Sequence, residues 1–340
     1  MLRILGDNIL NKDKEKLNEF IGELRNSDST KEKKAAIKKI NAMAMNAEAA
    51  LDELMKIVKG RYDFSLQSLA EETVIKIGEP AIPLLAKFLK SPLRKRRSKG
   101  IGMLGEIAYN DKELIDKIVH LLRPVALYDL KYETRLDAIV AIKKLIKRKK
   151  NSESIIRLLG EVLRKDGMPQ NRLEAGEALA LADKKLAIEE LLKSMDRKNY
   201  FALRFSGDTR VSAANALYSL SGGNYSVLKE TIPYLFEHLK NDPYPVMRIT
   251  VVQPLILAGG WDVVEEVLDI IIKDRFYQVR SVAFSTIGVL LHMKPKKKVM
   301  RAVIPLLKKI AREDKYEYVQ SEARDLVEEI EEILKEENIE

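Results

Sequence analysis

The chain has 340 residues, no cysteine, and a formal net charge of +9 from 60 basic and 51 acidic side chains. The lack of cysteine excludes disulfides, thiolate metal sites and a cysteine nucleophile, and the few aromatic and glycine residues disfavour a β-sandwich or barrel. Leu, Ile, Ala, Lys and Glu dominate, which favours an all-α fold because these side chains lose little freedom in a helix. The composition also resembles that of thermophile proteins.

The first predicted element is an N-terminal capping helix in residues 1–26. Its short apolar run is interrupted by Gly6, Asp7 and Asn8, so neither a signal peptide nor a membrane-spanning segment is expected. From these residues we expect a cytoplasmic protein that has no membrane partner.

A two-helix repeat is predicted for residues 27–312. Three segments that begin at Asp242, Asp274 and Asp314 align without gaps: DPYPVMRITVV, DRFYQVRSVAF and DKYEYVQSEAR. In each, a basic or amide residue is followed three positions later by a small or apolar residue, and the same step recurs upstream at intervals of about 36 residues. The steps are Lys33–Ala36, Gln67–Ala70, Arg97–Gly100, Arg135–Ala138, Arg172–Ala175, Arg210–Ala213, Arg248–Val251, Arg280–Ala283 and Gln320–Ala323.

The second helix of several repeats carries a proline signature. AIPLLAKFLK, TIPYLFEHLK and VIPLLKKIAR place Pro83, Pro233 and Pro305 at equivalent positions. Proline is favoured in the first turn of a helix, where its missing N–H would have had no partner. Each of these prolines therefore predicts the start of a second helix.

The Asp, Val, Arg and small residue of the first helix, with Ile-Pro-x-Leu in the second, resemble HEAT repeats of the short, PBS-lyase-like kind. The resemblance implies one continuous right-handed α-solenoid of about nine helical hairpins, closed by an acidic C-terminal capping helix in residues 313–340. It also implies a ladder between successive repeats, in which Asp242, Asp274 and Asp314 pair with Arg248, Arg280 or their neighbours.

No enzyme chemistry is predicted. His120, His238 and His292 lie in different repeats, without the repeated His-Glu pairs that a HEAT-type deoxyhypusine hydroxylase needs. Phosphate-binding loops and hydrolase motifs are also missing from the sequence. We therefore expect no catalytic residue, metal, cofactor or small-molecule substrate.

Basic residues give the first candidate binding surface. Most predicted second helices end in a cation, which suggests a positive row along one edge, although cations at helix C-termini also stabilise the helix dipole. Dense clusters add to this charge and would bind phosphates, unless they are simply solvated. The cluster residues proposed as contacts are Arg94, Lys95, Arg96, Arg97, Lys147, Arg148, Lys149 and Lys150.

A second candidate is the segment between residues 196 and 208, which is longer than an ordinary turn between repeats. It combines Tyr200, Phe201, Arg204 and Phe205, side chains that stack on bases or anchor a protein partner. The alternative is an aromatic plug that closes a gap in the stack. Trp261 is interpreted as a packing residue.

The sequence therefore favours a non-enzymatic scaffold that holds an extended or helical segment of a protein partner on a concave surface lined by second helices. The alternative is nucleic-acid binding along the basic edge. A HEAT-fold DNA glycosylase that resembles the alkylpurine type is a minor branch of that alternative.

Overall fold

The computed structural model of the chain describes residues 2–149, 151–196, 209–293 and 295–336. These residues form eighteen α-helices joined by turns and short 3-10 segments, and no β-strand occurs among them. They fall into two compact units, Met1–Ile155 and Ile156–Glu340, called unit 1 and unit 2 below.

Unit 1 alternates first helices, which carry the repeated step, with second helices. Ser29 and Asp63 cap the starts of two first helices, where their side chains accept hydrogen bonds from the amides of Glu32 and Leu66. The helices of unit 1 are α1 Leu2–Asn26, α2 Thr30–Ala42, α3 Leu51–Lys59, α4 Phe64–Ile77, α5 Ile82–Leu89, α6 Arg94–Asn110, α7 Ile115–Tyr128 and α8 Tyr132–Ile146.

The first helices of unit 1 lie parallel. Contacts between the starts of neighbouring first helices and between their ends show this arrangement. Near the starts, Nζ of Lys99 in α6 donates to Oε1 of Gln67 in α4 at 3.3 Å. Near the ends, Lys144 of α8 lies 2.5 Å from Glu106 of α6. The turns of unit 1 are therefore divided between two edges.

Turns from a second helix to the next first helix form the inter-repeat edge, which comprises residues 60–64, 90–96 and 128–132 and so includes the first residues of the first helices. Turns within a repeat form the hairpin edge, which comprises residues 43–50, 78–81, 111–114, 147–149 and 151–152. The length of a first helix separates the two edges.

Unit 2 continues the alternation. Its helices are α9 Glu153–Lys165, which begins at the boundary between the units, α10 Pro169–Leu179, α11 Lys184–Met195, α12 Thr209–Leu220, α13 Ile232–Asn241, α14 Pro245–Gly259, α15 Trp261–Ile271, α16 Tyr277–Leu291, α17 Lys297–Glu313 and α18 Glu317–Glu336.

One feature of unit 2 differs from the sequence interpretation. Pro83 and Pro233 lie in the first turns of α5 and α13, but Pro305 lies inside α17, so it does not mark a helix start. Proline has no N–H to donate to the preceding turn, and because Pro305 is exposed, water can bind the carbonyl that loses this partner. Met300 and Val303 extend the buried face of α17 toward its start. The acidic helix α18 lies in the predicted capping segment 313–340 and carries the step Gln320–Ala323.

Small residues at the repeated step let the helices approach closely. Ala36, Ala70, Ala138, Ala213 and Ala283 are fully buried. At Gly100, an added Cβ would lie 2.8 Å from the Cβ of Phe88, closer than carbon atoms pack. Trp261 is also buried, in agreement with its interpretation as a packing residue.

Candidate functional site

The basic residue of the repeated step forms a ladder with the aspartate of the next repeat. In unit 2, Arg248 donates from Nε and Nη2 to the two carboxylate oxygens of Asp274, at 2.6 and 2.9 Å. Arg210 reaches Asp242 at 2.5 Å, and Arg280 Nη2 reaches Asp314 at 3.0 Å. The pairing that the resemblance implied is therefore present.

The same arginines also bind their own repeat. Nη1 of Arg248 donates to the carbonyl of Asp242, six residues earlier, at 2.7 Å, and Nη1 of Arg280 donates to the carbonyl of Asp274 at 2.6 Å. Each guanidinium thus joins the turn before its helix to the turn of the following repeat. Such charge-assisted bonds fix the register of neighbouring hairpins.

Neutral amides replace arginine at two positions of the step. Nε2 of Gln320 donates to the carbonyl of Asp314 at 2.7 Å, and Nε2 of Gln67 donates to the carbonyl of Gly60 at 2.7 Å. The turn that follows the repeat of Gln67 begins with Ser91 where other repeats have aspartate. A glutamine therefore makes the hydrogen bond to the carbonyl of its own repeat, and it leaves no positive charge without a carboxylate partner.

The ladder carboxylates stay ionised despite their burial. Burial by itself raises the pKa of Asp274, but hydrogen bonds from Arg248 and from the amide of Phe276, with the nearby positive charges, outweigh it and lower the pKa. The pKa of Asp242 is lowered in the same way by His238, the amide of Tyr244 and Arg210.

Arg97, one of the predicted phosphate contacts, belongs to this ladder. It donates from Nε and Nη2 to both carboxylate oxygens of Asp129, at 2.6 and 2.9 Å, and from Nη1 to the carbonyl of Ser91 at 2.9 Å. Only 12% of its side chain is exposed. Arg97 is thus committed to packing and is not available to a phosphate.

The other two predicted basic groups lie on opposite edges of unit 1. Arg94, Lys95 and Arg96 form the exposed start of α6, on the inter-repeat edge. Lys147, Arg148 and Lys149 follow the end of α8, on the hairpin edge. Since α6 and α8 are parallel, the groups are separated by about 22 Å, the length of α8. They do not form the single basic edge that the sequence suggested.

Several cations of these groups already have partners. Lys149 lies 2.6 Å from Asp116, and Arg148 lies over the ring of Tyr109 at 5.1 Å. Among the cations at the ends of second helices, Arg164 pairs with Glu190 and Lys240 pairs with Glu266. The predicted residues Lys150, Tyr200, Phe201, Arg204 and Phe205 lie outside the described residues.

The inter-repeat edge of unit 1 carries apolar side chains that the sequence interpretation missed. Phe64, Leu93 and Leu130 are 86%, 55% and 96% exposed, and each lies within two residues of the start of a first helix. A bulky apolar residue close to the start of three successive first helices was visible in the sequence, but its exposure depends on how the turns pack.

Tyr244 and Phe276 lie directly before first helices of unit 2 and pack against the ladder, although they are 39% and 42% exposed. The ring of Tyr244 lies 5.6 Å from the guanidinium of Arg210, and that of Phe276 lies 5.6 Å from Arg248. The rings of Tyr277 and Tyr316 are 4.9 Å apart. Cation–π contacts of this kind hold the rings against the protein.

A cleft of about 530 Å³ lies between the second helices α11 and α13. Leu192 and Met195 line one side of it, and Tyr234, Glu237 and His238 line the other. The ring of Tyr234 is largely exposed, so an apolar surface with charged rims is open to solvent.

The described residues hold no group of three or more metal-ligating side chains. His238, a residue of the cleft, lies with Nδ1 3.0 Å from the ladder carboxylate of Asp242, and His292 pairs with Glu329 at 3.1 Å. Within the part of the chain that the structure describes, no helix has the length and apolar character needed to cross a membrane.

Neither a protein-family model nor a curated protein sequence matches the chain. Among solved structures, Kap121p bound to Nup53p covers 93% of the chain at 13% identity, with a TM-score of 0.62. The karyopherin Kap121p bound to the extreme C-terminus of the protein phosphatase Cdc14p also covers 93%, at 15% identity and a TM-score of 0.60. The chain spans 37% and 38% of the length of these two chains. Taken with the repeated step and its Arg–Asp ladder, this likeness shows that the chain has the HEAT-repeat fold, an all-α solenoid.

Proposed function

We propose that the chain is a non-enzymatic scaffold that binds a segment of another protein on the solvent-exposed surface of its second helices. The observation that carries this proposal is the cleft between α11 and α13, where Leu192 and Tyr234 form an apolar surface inside charged rims. Aromatic side chains in such settings are common anchors of protein partners.

The solved structures of the same fold support a protein ligand. Kap121p is seen bound to Nup53p, to Pho4p and to the extreme C-terminus of Cdc14p. A chain terminus is a short segment, and a segment of that kind fits a cleft of about 530 Å³ between two helices.

The distribution of polar side chains also favours binding. Inside unit 2, the arginines and aspartates of the ladder bind one another and stabilise the stack. The histidine of the cleft is held by the ladder carboxylate of Asp242, so its position has a structural explanation. The cleft supplies an apolar surface for recognition.

The basic-edge alternative loses support from the geometry. Its two groups of contacts lie on opposite edges of unit 1, and Arg97 and Lys149 are in ion pairs. Nucleic-acid binding along one edge would depend on Arg94, Lys95 and Arg96 without the second group.

Affinity purification from the source cells, with the wild-type chain and with Tyr234→Ser, tests the proposal. We expect one stoichiometric protein to copurify with the wild type and to be lost with Tyr234→Ser. Val289→Ser, which removes a similarly exposed apolar side chain from the first helix α16, is the matched control and should retain the partner. Equal recovery with both variants would exclude the cleft, and recovery of no stoichiometric protein would contradict the scaffold.

A further inference from the structure

We propose that the inter-repeat edge of unit 1 binds the surface of an anionic membrane, with the side chains of Phe64, Leu93 and Leu130 entering the headgroup region. This inference goes beyond the proposed scaffold function and concerns a different surface. It departs from the expectation that a membrane is not a partner, which was based on the lack of a spanning segment.

The first observation is the position of the three apolar side chains. They belong to three successive turns, whose first helices α4, α6 and α8 lie parallel. Arg97 bonds the turn of Leu93 to that of Leu130 through Asp129. Lys99 bonds to the carbonyl of Val58 at 3.3 Å and so ties α6 to the helix before the turn of Phe64. The three side chains therefore project from one edge.

The second observation is the charge around them. The inter-repeat edge of unit 1 contains six cations and two carboxylates. Both carboxylates are paired, Asp63 with Lys34 at 3.3 Å and Asp129 with Arg97. Arg94 lies 3.7 Å from Asp137. The other five cations make no ion pair within the described residues; these are Arg61, Lys90, Lys95, Arg96 and Lys131.

The combination of these two features selects the partner. Nucleic acid would be attracted by the cations, but aliphatic side chains such as Leu93 and Leu130 neither stack on bases nor bind phosphates. If this edge were a groove for a peptide segment, these side chains would line a concavity, whereas Phe64 and Leu130 are almost fully exposed. An anionic bilayer accepts both features, because basic residues bind its charged surface and apolar side chains enter its interface.

The charge of the whole unit favours the same partner. Residues 1–155 carry 32 basic and 22 acidic side chains, so unit 1 has a net charge of +10, whereas the rest of the chain has a net charge of −1. A field of one sign draws the unit toward a negative surface. The apolar residues then hold it there.

Cosedimentation of the full chain with lipid vesicles tests the proposal. The probes are vesicles of phosphatidylcholine alone and vesicles with about one third phosphatidylserine, a typical anionic lipid. We expect binding to the anionic vesicles only, and weaker binding at high salt because surface charges are screened. No binding to anionic vesicles at low salt would overturn the proposal.

A charge variant with its control, and an apolar variant, separate the contributions of charge and apolar contact. Lys95→Gln with Arg96→Gln removes two cations and should weaken vesicle binding about 25-fold, at about fivefold for each charge near the surface. Lys112→Gln with Lys147→Gln makes the same change on the hairpin edge and should have no effect. Equal weakening by both pairs would overturn the proposal, because it would indicate attraction to the whole unit.

Phe64→Ser with Leu130→Ser keeps every charge and should weaken vesicle binding by about tenfold or more. Undiminished binding by this variant would overturn the proposal and indicate an electrostatic attraction to any polyanion. A duplex DNA of equal charge, tested in parallel, should bind this variant and the wild type equally if it binds at all. Since all six substituted positions are exposed, the unfolding midpoints should remain those of the wild type.

Discussion

Leu93 in unit 1 and Tyr244 and Phe276 in unit 2 stand at the same point of the repeat, directly before a first helix, yet their surroundings differ. In unit 2, Tyr244 and Phe276 lie over the ladder arginines of the preceding repeats. In unit 1, the repeat before Leu93 has Gln67 in place of arginine, so no cation is available there. An identical position in a repeat can thus serve packing in one unit and remain open for binding in the other.

The largest expected effect concerns the buried ladder of unit 2. Arg210→Ala should destabilise the protein by about 3–5 kcal/mol, because Asp242 would remain buried without its cation. Arg97→Ala should cost less, since the side chain of Arg97 is more exposed than that of Arg210. Urea unfolding monitored by circular dichroism measures both. The exposed Arg301→Ala is the control and should lie within about 0.5 kcal/mol of the wild type.

The small residue of the step provides the next comparison, since it is glycine in α6 but alanine in α12 and α16. Gly100→Ala should cost about 1–3 kcal/mol, because the new methyl group meets Phe88. Gly102→Ala in the same helix has open space and should stabilise it by up to about 1 kcal/mol. Thermal unfolding should therefore shift in opposite directions, and a shift in the same direction would contradict the close approach of α5 and α6.

The stability contributed by the ladder should also depend on pH. Because the pKa of Asp274 is lowered in the folded protein, its contribution is fully present above the unfolded pKa near 4 and is lost as the pH falls through the folded pKa. Arg248→Met removes the partner, so this variant should lose less stability than the wild type between pH 6 and acid. The exposed Arg275→Met should keep the wild-type dependence, and equal slopes for all three proteins would refute the assignment.

The smallest expected effect concerns the packing of apolar side chains on the inter-repeat edges of the two units. Phe276→Ala should cost about 1 kcal/mol, since it removes a ring packed over Arg248. Phe64→Ala should change stability by less than about 0.5 kcal/mol, because its ring is free of the protein surface. Chemical unfolding measures the free energy of unfolding of both variants. An equal loss in the two would show that the edges do not differ in packing.

The sequence was sufficient to predict the repeat and its ladder, because the step from Arg280 to Ala283 reports a local geometry that each repeat must reproduce. It was also sufficient to place Arg97 in that ladder, yet its basic neighbours led to its prediction as a phosphate contact as well. The order of helices could also have placed Arg94 and Lys147 on different edges, since Arg94 begins a first helix and Lys147 follows the end of one.

Other properties could not be predicted because they depend on neighbouring repeats. Pro305 has the same local sequence as Pro83, but the helix before it is extended by buried Met300 and Val303. The exposure of Leu130 depends on the packing of turns that are far apart in the sequence. The cleft between α11 and α13 combines residues of two repeats in the same way.

The glutamines of the ladder have a consequence for how such arrays change length. Arg210, Arg248 and Arg280 each face an aspartate of the following hairpin, whereas Gln320 donates to the carbonyl of its own turn. A hairpin copied from the interior and inserted after α18 would bring an aspartate that meets a neutral amide. The new aspartate would therefore lack the cation that Asp242, Asp274 and Asp314 each have.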